Sequence, residues 1–310
     1  MTIVVAGEAL VDLAPRGQQL LPLPGGSPYN VAVGLGRLQR PTAYLGRLSS
    51  DGFGQRLRDR LLQEGVELDL AMATDDPTTL AVVHLDEQAR ASYGFYLQGT
   101  SAAGLPDPLP TLPSRAAVHV SFGAIGLAHP AGDALGALLR SRARGHVTSL
   151  DPNVRPSAVS DPPAYVARLE ELVTDVTLVK VSDEDLQLLY PDQDPMAIAA
   201  DWAARGPALV VVTRGPDGAA ALTGTGRYEE VPGRPVDVVD TVGAGDAFTS
   251  GLLAWLDEHG RLDDRDALRD LADDGDVAAA LTQAVTVAAI TCTRAGSDPP
   301  TREELASWTS

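Results

Sequence analysis

Cysteine, lysine and aromatic residues are scarce in this chain, and each shortage narrows what it can be. Cys292 is the single cysteine among 310 residues, so no internal disulfide can form and a disulfide-stapled secreted scaffold is excluded. Lysine occurs once, at Lys180, and positive charge is scarce altogether: 24 Lys and Arg stand against 42 Asp and Glu, a net charge of −18. Such a surface lacks the basic face that phosphate backbones and anionic lipids demand, which argues against a nucleic-acid or membrane partner. No apolar run approaches the roughly 20 residues of a membrane span. The opening segment, Met1-Thr2-Ile3-Val4-Val5-Ala6-Gly7-Glu8, has no basic stretch and meets an acid early, unlike a signal peptide. At 44% hydrophobic residues the chain is too apolar for disorder. The expectation is an acidic, globular, cytoplasmic protein.

Short apolar, β-branched runs alternate with longer segments of helical period. Ile3–Ala6, Ala117–Phe122, Val147–Asp151, Val176–Val181 and Ala208–Thr213 read as strands. Between them, Pro130–Ala143, Pro163–Val173, Asp183–Leu189 and Met196–Arg205 read as helices. This alternation predicts an α/β, doubly wound, mainly parallel sheet with helices on both faces. Ligands bind such sheets beyond the carboxyl ends of the strands. Two stretches depart from the pattern. Thr79–Leu85 and Ala91–Leu97 have period two and are joined by Asp86-Glu87-Gln88-Ala89-Arg90, which predicts an exposed hairpin, a candidate flap. Asp257–Asp276 is densely acidic and predicts a solvated loop and helix face.

The strongest chemical signal runs from Val236 to Phe248, through Asp240-Thr241-Val242-Gly243-Ala244-Gly245-Asp246. A short strand is predicted to end at Asp240, and an apolar helix to begin near Asp246. Backbone N–H groups in the intervening turn point together at a helix N-terminus, where the dipole adds positive potential. Gly243, Ala244 and Gly245 have almost no side chain, so a phosphate can approach the backbone closely. A carboxylate at Asp246 repels that anion unless it has a task, and accepting a proton from an attacking alcohol is one. The plainer reading is an Asp cap on the helix, but the flanking strand and helix favour the chemical one. A P-loop is absent, since the only lysine follows Val179, and so is a Gly-x-Gly-x-x-Gly dinucleotide turn after the first strand. In a second constellation, Gly25-Gly26-Ser27-Pro28-Tyr29-Asn30, a glycine–proline turn opens a helix. Asn30 either caps that helix or binds a polyol hydroxyl.

Gly-Gly-x-Pro-x-Asn-x-Ala at 25–32 and Asp-Thr-x-Gly-Ala-Gly-Asp-Ala-Phe at 240–248 resemble the two signature motifs of the PfkB/ribokinase carbohydrate kinases. Three further segments are similar to that family. Thr213-Arg214-Gly215-Pro216-Asp217-Gly218 resembles an ATP-contacting turn, though alone it equally describes a tight turn between strands. Lys180-Val181-Ser182-Asp183-Glu184-Asp185 stands in the place of an Asn-x-x-Glu segment that acts through Mg²⁺ and phosphate, with Ser182 for the Asn and Asp185 for the Glu. Thr293-Arg294-Ala295-Gly296-Ser297 resembles a loop near the adenine and, in many members, a monovalent cation, with Asp240 as the acidic neighbour.

The resemblance implies a ribokinase-like domain over residues 1–310, with a small β-sheet lid from about residues 9–23 and 76–104. It implies an ATP- and Mg²⁺-dependent sugar kinase, with K⁺ as a candidate further cation, and a homodimer joined through the lid. The sugar would meet Asp12, Gly25, Gly26 and Asn30. Lys180, Ser182, Thr213, Gly215, Gly218 and Gly245 would serve the nucleotide, and Asp185 and Asp240 the metals. Asp151-Pro152-Asn153-Val154-Arg155-Pro156 is similar to a segment of fructokinase-like members and of 2-keto-3-deoxygluconate kinases. Asn153 and Arg155 would therefore lie against the substrate, with Arg155 on either the phosphoryl group or a substrate carboxylate. Ser157-Ala158-Val159 replaces the Leu-Trp often found next, and Leu97 an arginine common on the lid. Fructose is the expected acceptor, with the keto-acid sugar and nucleosides as alternatives, and a non-catalytic sensor as the alternative of another class.

Overall fold

A strand that is apolar on both sides is stable only in a sheet covered on both faces, and the chain folds around such a sheet. The computed structural model describes residues 1–85, 91–123, 131–143, 145–156, 159, 161–274 and 276–309. The connection 86–90 and residues 157 and 158 lie outside the described residues. In chain order the first strands are β1 (Thr2–Ala6), β2 (Leu10–Arg16), β3 (Gln19–Gly25), β4 (Thr42–Leu45), β5 (Arg47–Ser49), β6 (Met72–Thr74), β7 (Leu80–Leu85) and β8 (Ala91–Tyr96). They are followed by β9 (Ala116–Ser121), β10 (Thr148–Asp151), β11 (Leu178–Ser182), β12 (Leu209–Thr213), β13 (Ala219–Thr223) and β14 (Tyr228–Val231). The helices are α1 (Ser27–Arg37), α2 (Gly52–Gln63), α3 (Ala131–Arg142), α4 (Pro162–Asp175) and α5 (Asp183–Leu189). After them come α6 (Pro195–Arg205), α7 (Ala244–Glu258), α8 (Arg265–Asp274), α9 (Val277–Cys292) and α10 (Arg302–Thr309).

The main sheet has the order β14-β13-β12-β11-β10-β9-β1-β4. It is parallel from β4 to β12 and closes with two antiparallel strands. Alternate residues face opposite layers. Ile3, Val5 and Val211 pack with α1, α7 and α9, whereas Val4, Ala6, Val210 and Val212 pack with α3, α4 and α6. Trp202, fully buried on α6, anchors the second layer; a side chain of that size contributes several kcal/mol, on the order of 3. Helices α1 and α7 come unusually close, because Gly34 has no side chain: a Cβ there would stand 2.4 Å from Ser250 Oγ. A separate four-stranded sheet, β3-β2-β7-β8, is made of two hairpins joined by parallel pairing of β2 with β7.

Two sequence expectations fail locally. No strand leads into Asp240. Residues 232–242 are irregular, with Val238 61% and Val239 64% exposed. The backbone amides of Val239 and Asp240 both donate to the Cys292 carbonyl, at 2.8 and 3.2 Å, so this segment is fastened to the end of α9 instead of to a strand. Asp257 opens the acidic stretch yet is only 7% exposed on its side chain, because it faces the Met1 amine and Arg40.

Candidate active site

Five of the parallel strands, β1, β9, β10, β11 and β12, point their carboxyl ends into one cavity of about 1120 Å³. Glu8 follows β1, Gly123 follows β9, Asn153 and Arg155 follow β10, and Ser182 and Thr213 end β11 and β12; all six line it. Asp12, Tyr93 and Phe95 of the small sheet close it from above.

At the inner end stands the first turn of α7. Its cap is Gly243, in the left-handed region with φ of 75° and no side-chain capping bond. A side chain at Gly243 would be strained and would also strike Ser297. Asp246 is therefore the third helical residue and not the cap, which removes the plainer reading of this motif. It is 7% exposed. Its Oδ1 accepts from Ser27 Oγ at 2.5 Å and its Oδ2 from Asn30 Nδ2 at 2.9 Å. Burial pushes its carboxyl above the usual range; the Ser27 and Asn30 donors pull it back, Asp151 pushes further and Lys180 opposes. Asn30 lies one turn inside α1, so it does not cap that helix. Its cap is Gly26, which has no side chain to offer.

Lys180 approaches the same helix end from β11. A Cβ on Gly245 would stand 3.2 Å from its Nζ, and that Nζ donates to Asp151 Oδ2 at 3.0 Å in a pair 6% and 0% exposed. Burial alone would depress the ammonium, but Asp151 and Asp185 outweigh it and hold it above its ordinary value. Ser182 caps α5 by accepting from Asp185 N, and Asp185 in turn accepts from Val154 N at 3.2 Å. Burial, then Asp151, lifts the Asp185 carboxyl, opposed by Lys180.

Across the cavity, Asp12 lies against Gly25, where a Cβ would meet its Oδ2 at 2.1 Å. Gly25 is thereby behind Asp12 and absent from the cavity wall, while Gly26 lines it. Burial raises the Asp12 carboxyl to about 6, against the pull of Arg155 and with a push from Asp246. Arg155 donates to the Val154 carbonyl, and Asn153 holds a positive φ of 41°. Tyr93 and Phe95 stack at 6.0 Å between centroids.

The outer end is made of backbone. Thr213 leads into a single turn at Gly215–Asp217, and Gly218 returns the chain at φ of 91°. Asp240 does not line the cavity; its oxygens accept from Val242 N at 3.0 Å and Gly296 N at 2.8 Å, tying the turn before α7 to the loop after α9. Asp185 and Asp240 thus stand apart, and among the described residues no three His, Cys, Asp or Glu side chains form a metal cluster. No helix of the described residues is long and apolar enough to cross a membrane.

Three side chains here were given no role by sequence reasoning: Ser27, Ser121 and Asp151. Ser27 had a readable signal, since it lies three residues before Asn30 and so on the same face of α1. Ser121 meets Ser27 only because α1 packs across the end of β9, and Asp151 meets Lys180 only because β10 and β11 lie side by side.

Comparison with known proteins accords with this arrangement. The fructokinase of Rhizobium leguminosarum bv. trifolii is 40% identical over 262 residues, 82% of this chain and 79% of that protein. The structure of a Xylella fastidiosa fructokinase with bound ATP superposes with a TM-score of 0.86 at 30% identity, covering 99% of this chain and 97% of that one. A Vibrio cholerae O395 fructokinase with bound fructose, ADP and calcium gives 0.85 at 30% identity, covering 100% and 99%. Residues 2–304 match the family of pfkB carbohydrate kinases. With its ribokinase-like sheet and this cavity at the strand ends, the chain belongs to the pfkB carbohydrate kinase family.

Proposed function

We propose that this sugar kinase transfers the γ-phosphoryl group of ATP to a hydroxyl of fructose. The observation that carries the reading is Asp246: a buried carboxylate with both oxygens oriented by donors, set in the first turn of a helix whose N-terminus opens on the cavity. The amides of Gly243, Ala244 and Gly245 and the Lys180 ammonium offset the charge of the transferring group, and Asp246 accepts the proton of the attacking hydroxyl. Thr213, Gly215 and Gly218 carry the nucleotide. Asp12, Gly26 and Asn30 hold the sugar, with Gly25 giving Asp12 its room. Asp12 faces the Arg155 guanidinium while Asp246 adds a second negative charge beside it, so the charge around the acceptor suits a neutral polyol better than a sugar acid. That balance supports a role for Arg155, with Asn153 beside it, at the phosphoryl group. The relatives named fructokinase support the same sugar.

Asp151 and Asp185 bury two carboxylates against the one ammonium of Lys180, an excess of one negative charge that fits a divalent cation. Magnesium takes one or two carboxylates plus phosphate oxygens, so Asp185 would hold it through the nucleotide, and it supplies charge neutralisation when bound. Asp240, which pins two loops, would neighbour a monovalent cation. The small sheet acts as a lid over a single kinase unit spanning the chain, excluding water that competes as acceptor. Its exposed Leu20, Leu21 and Tyr96 support a homodimer formed through it. The lone cysteine and the need for ATP support a cytoplasmic setting. An ATP-consumption assay with Mg²⁺ and K⁺ tests the proposal on fructose, 2-keto-3-deoxygluconate, ribose and adenosine. Preference for fructose is the expected result. Preference for the keto-acid would move Arg155 to a substrate carboxylate, and ATP binding without turnover on a wider panel would indicate a sensor.

A further inference from the structure

A carboxylate buried as deeply as Asp246 gains a proton unless donors stabilise its charge, and a protonated carboxyl cannot act as a base. Two donors reach it. One is Asn30, from the first signature motif. The other is Ser27, which occupies the x of Gly-Gly-x-Pro in that motif, 5% exposed, with its hydroxyl 2.5 Å from Asp246 Oδ1. Behind Ser27 lies Ser121, fully buried at the end of β9, with the two hydroxyl oxygens 2.5 Å apart.

The direction of this chain follows from counting protons. A serine hydroxyl has one hydrogen. Ser27 commits its hydrogen to the carboxylate, so the hydrogen between the serines belongs to Ser121. Ser121 therefore donates to Ser27, which donates to Asp246, and each bond polarises the next. We infer that Ser27, backed by Ser121, is a positioning residue that holds Asp246 in its reactive rotamer and keeps it ionised in a buried site. This rests on the reading of Asp246 as the base.

The other charges facing Asp246 oppose one another: Asp12 on β2 and Asp151 on β10 disfavour its ionised form, and Lys180 on β11 favours it. Glu8 and Arg155 line the same cavity after β1 and β10. None of these changes when a serine hydroxyl is deleted, so its effect is isolated. Removing a donor to the charged form raises the carboxyl pKa, which moves the acid limb of turnover to higher pH.

The test is the pH profile of kcat at saturating fructose and ATP, where Asp12 no longer governs binding. Ser27→Ala should shift the acid limb upward by about one pH unit, roughly a tenfold loss below the limb, with an unchanged melting temperature. Ser121→Ala should shift it in the same direction by less, and Ser27→Thr, which keeps the hydroxyl, should restore it. A folded Ser27→Ala protein whose limb coincides with the parent overturns the inference. Asp246→Asn separates the two claims. If the limb vanishes there but stays fixed in Ser27→Ala, the base stands and the Ser27 assignment falls. If the limb persists there, both fall.

Discussion

The two ends of the cavity are built by opposite means. At the inner end, side chains from positions 27, 30, 121 and 246 share one buried hydrogen-bonded cluster, with the Asp151–Lys180 pair beside it. At the outer end, the turn 213–218 and the segment 232–242 present backbone and exposed valines. Chemistry needs groups fixed before the reaction starts, and burial with mutual hydrogen bonds fixes them. Holding a nucleotide needs shape and backbone donors, which tolerate changes of side chain. Damage at the inner end should therefore appear in kcat, and damage at the outer end in the KM for ATP.

Lys180→Met should break this contrast most severely among the supporting residues. It removes the cation above Gly245 and leaves Asp151 buried without its partner. A fall in kcat of about 10²–10³ is expected, with a stability loss of about 3–5 kcal/mol by chemical denaturation. Both readouts belong to the inner end.

Asp12 sharpens the comparison through pH. Its carboxyl titrates near 6 in the folded protein, above the ordinary 3.8. In the proposed sugar site, the ionised acceptor for sugar hydroxyls is thus present above that value and lost as pH falls through it. The KM for fructose should rise several-fold, about tenfold per pH unit below 6, while the KM for ATP stays level. Asp12→Asn should weaken sugar binding at neutral pH and abolish the pH dependence.

The smallest effect is expected at the outer end. Val238→Ser alters a side chain 61% exposed on the side proposed to hold the nucleotide. It should raise the KM for ATP about two- to threefold, a cost of under ~1 kcal/mol, and leave kcat unchanged. A kcat loss there would mean that the two ends are not separable.

Legibility in the sequence divides along the same line. The strands of the main sheet were readable because β12, for example, is Leu209-Val210-Val211-Val212-Thr213, a run only a doubly covered sheet accommodates. Val236–Asp240 is also rich in valine yet is no strand, because the Cys292 carbonyl at the end of α9 takes the amides of Val239 and Asp240. Composition reports propensity, and pairing is decided by tertiary neighbours. At the site, the Gly243–Asp246 turn was legible as a local device. The partnership of Asn30 with Asp246 was not, since it spans 216 positions and depends on Gly34 letting α1 approach α7. The Asp151–Lys180 pair was hidden for the same reason, being a product of strand register.

The central claim is that Asp246 acts on the proton of the attacking hydroxyl and not on binding. Asp246→Asn keeps the shape of the side chain and removes its basicity, so the direct measurement is kcat together with the fructose dissociation constant by titration. The account predicts a kcat lower by about 10²–10⁴ and a dissociation constant within a few-fold of the parent. Near-normal turnover in that variant, or a turnover loss matched by an equal loss of fructose affinity, would contradict it.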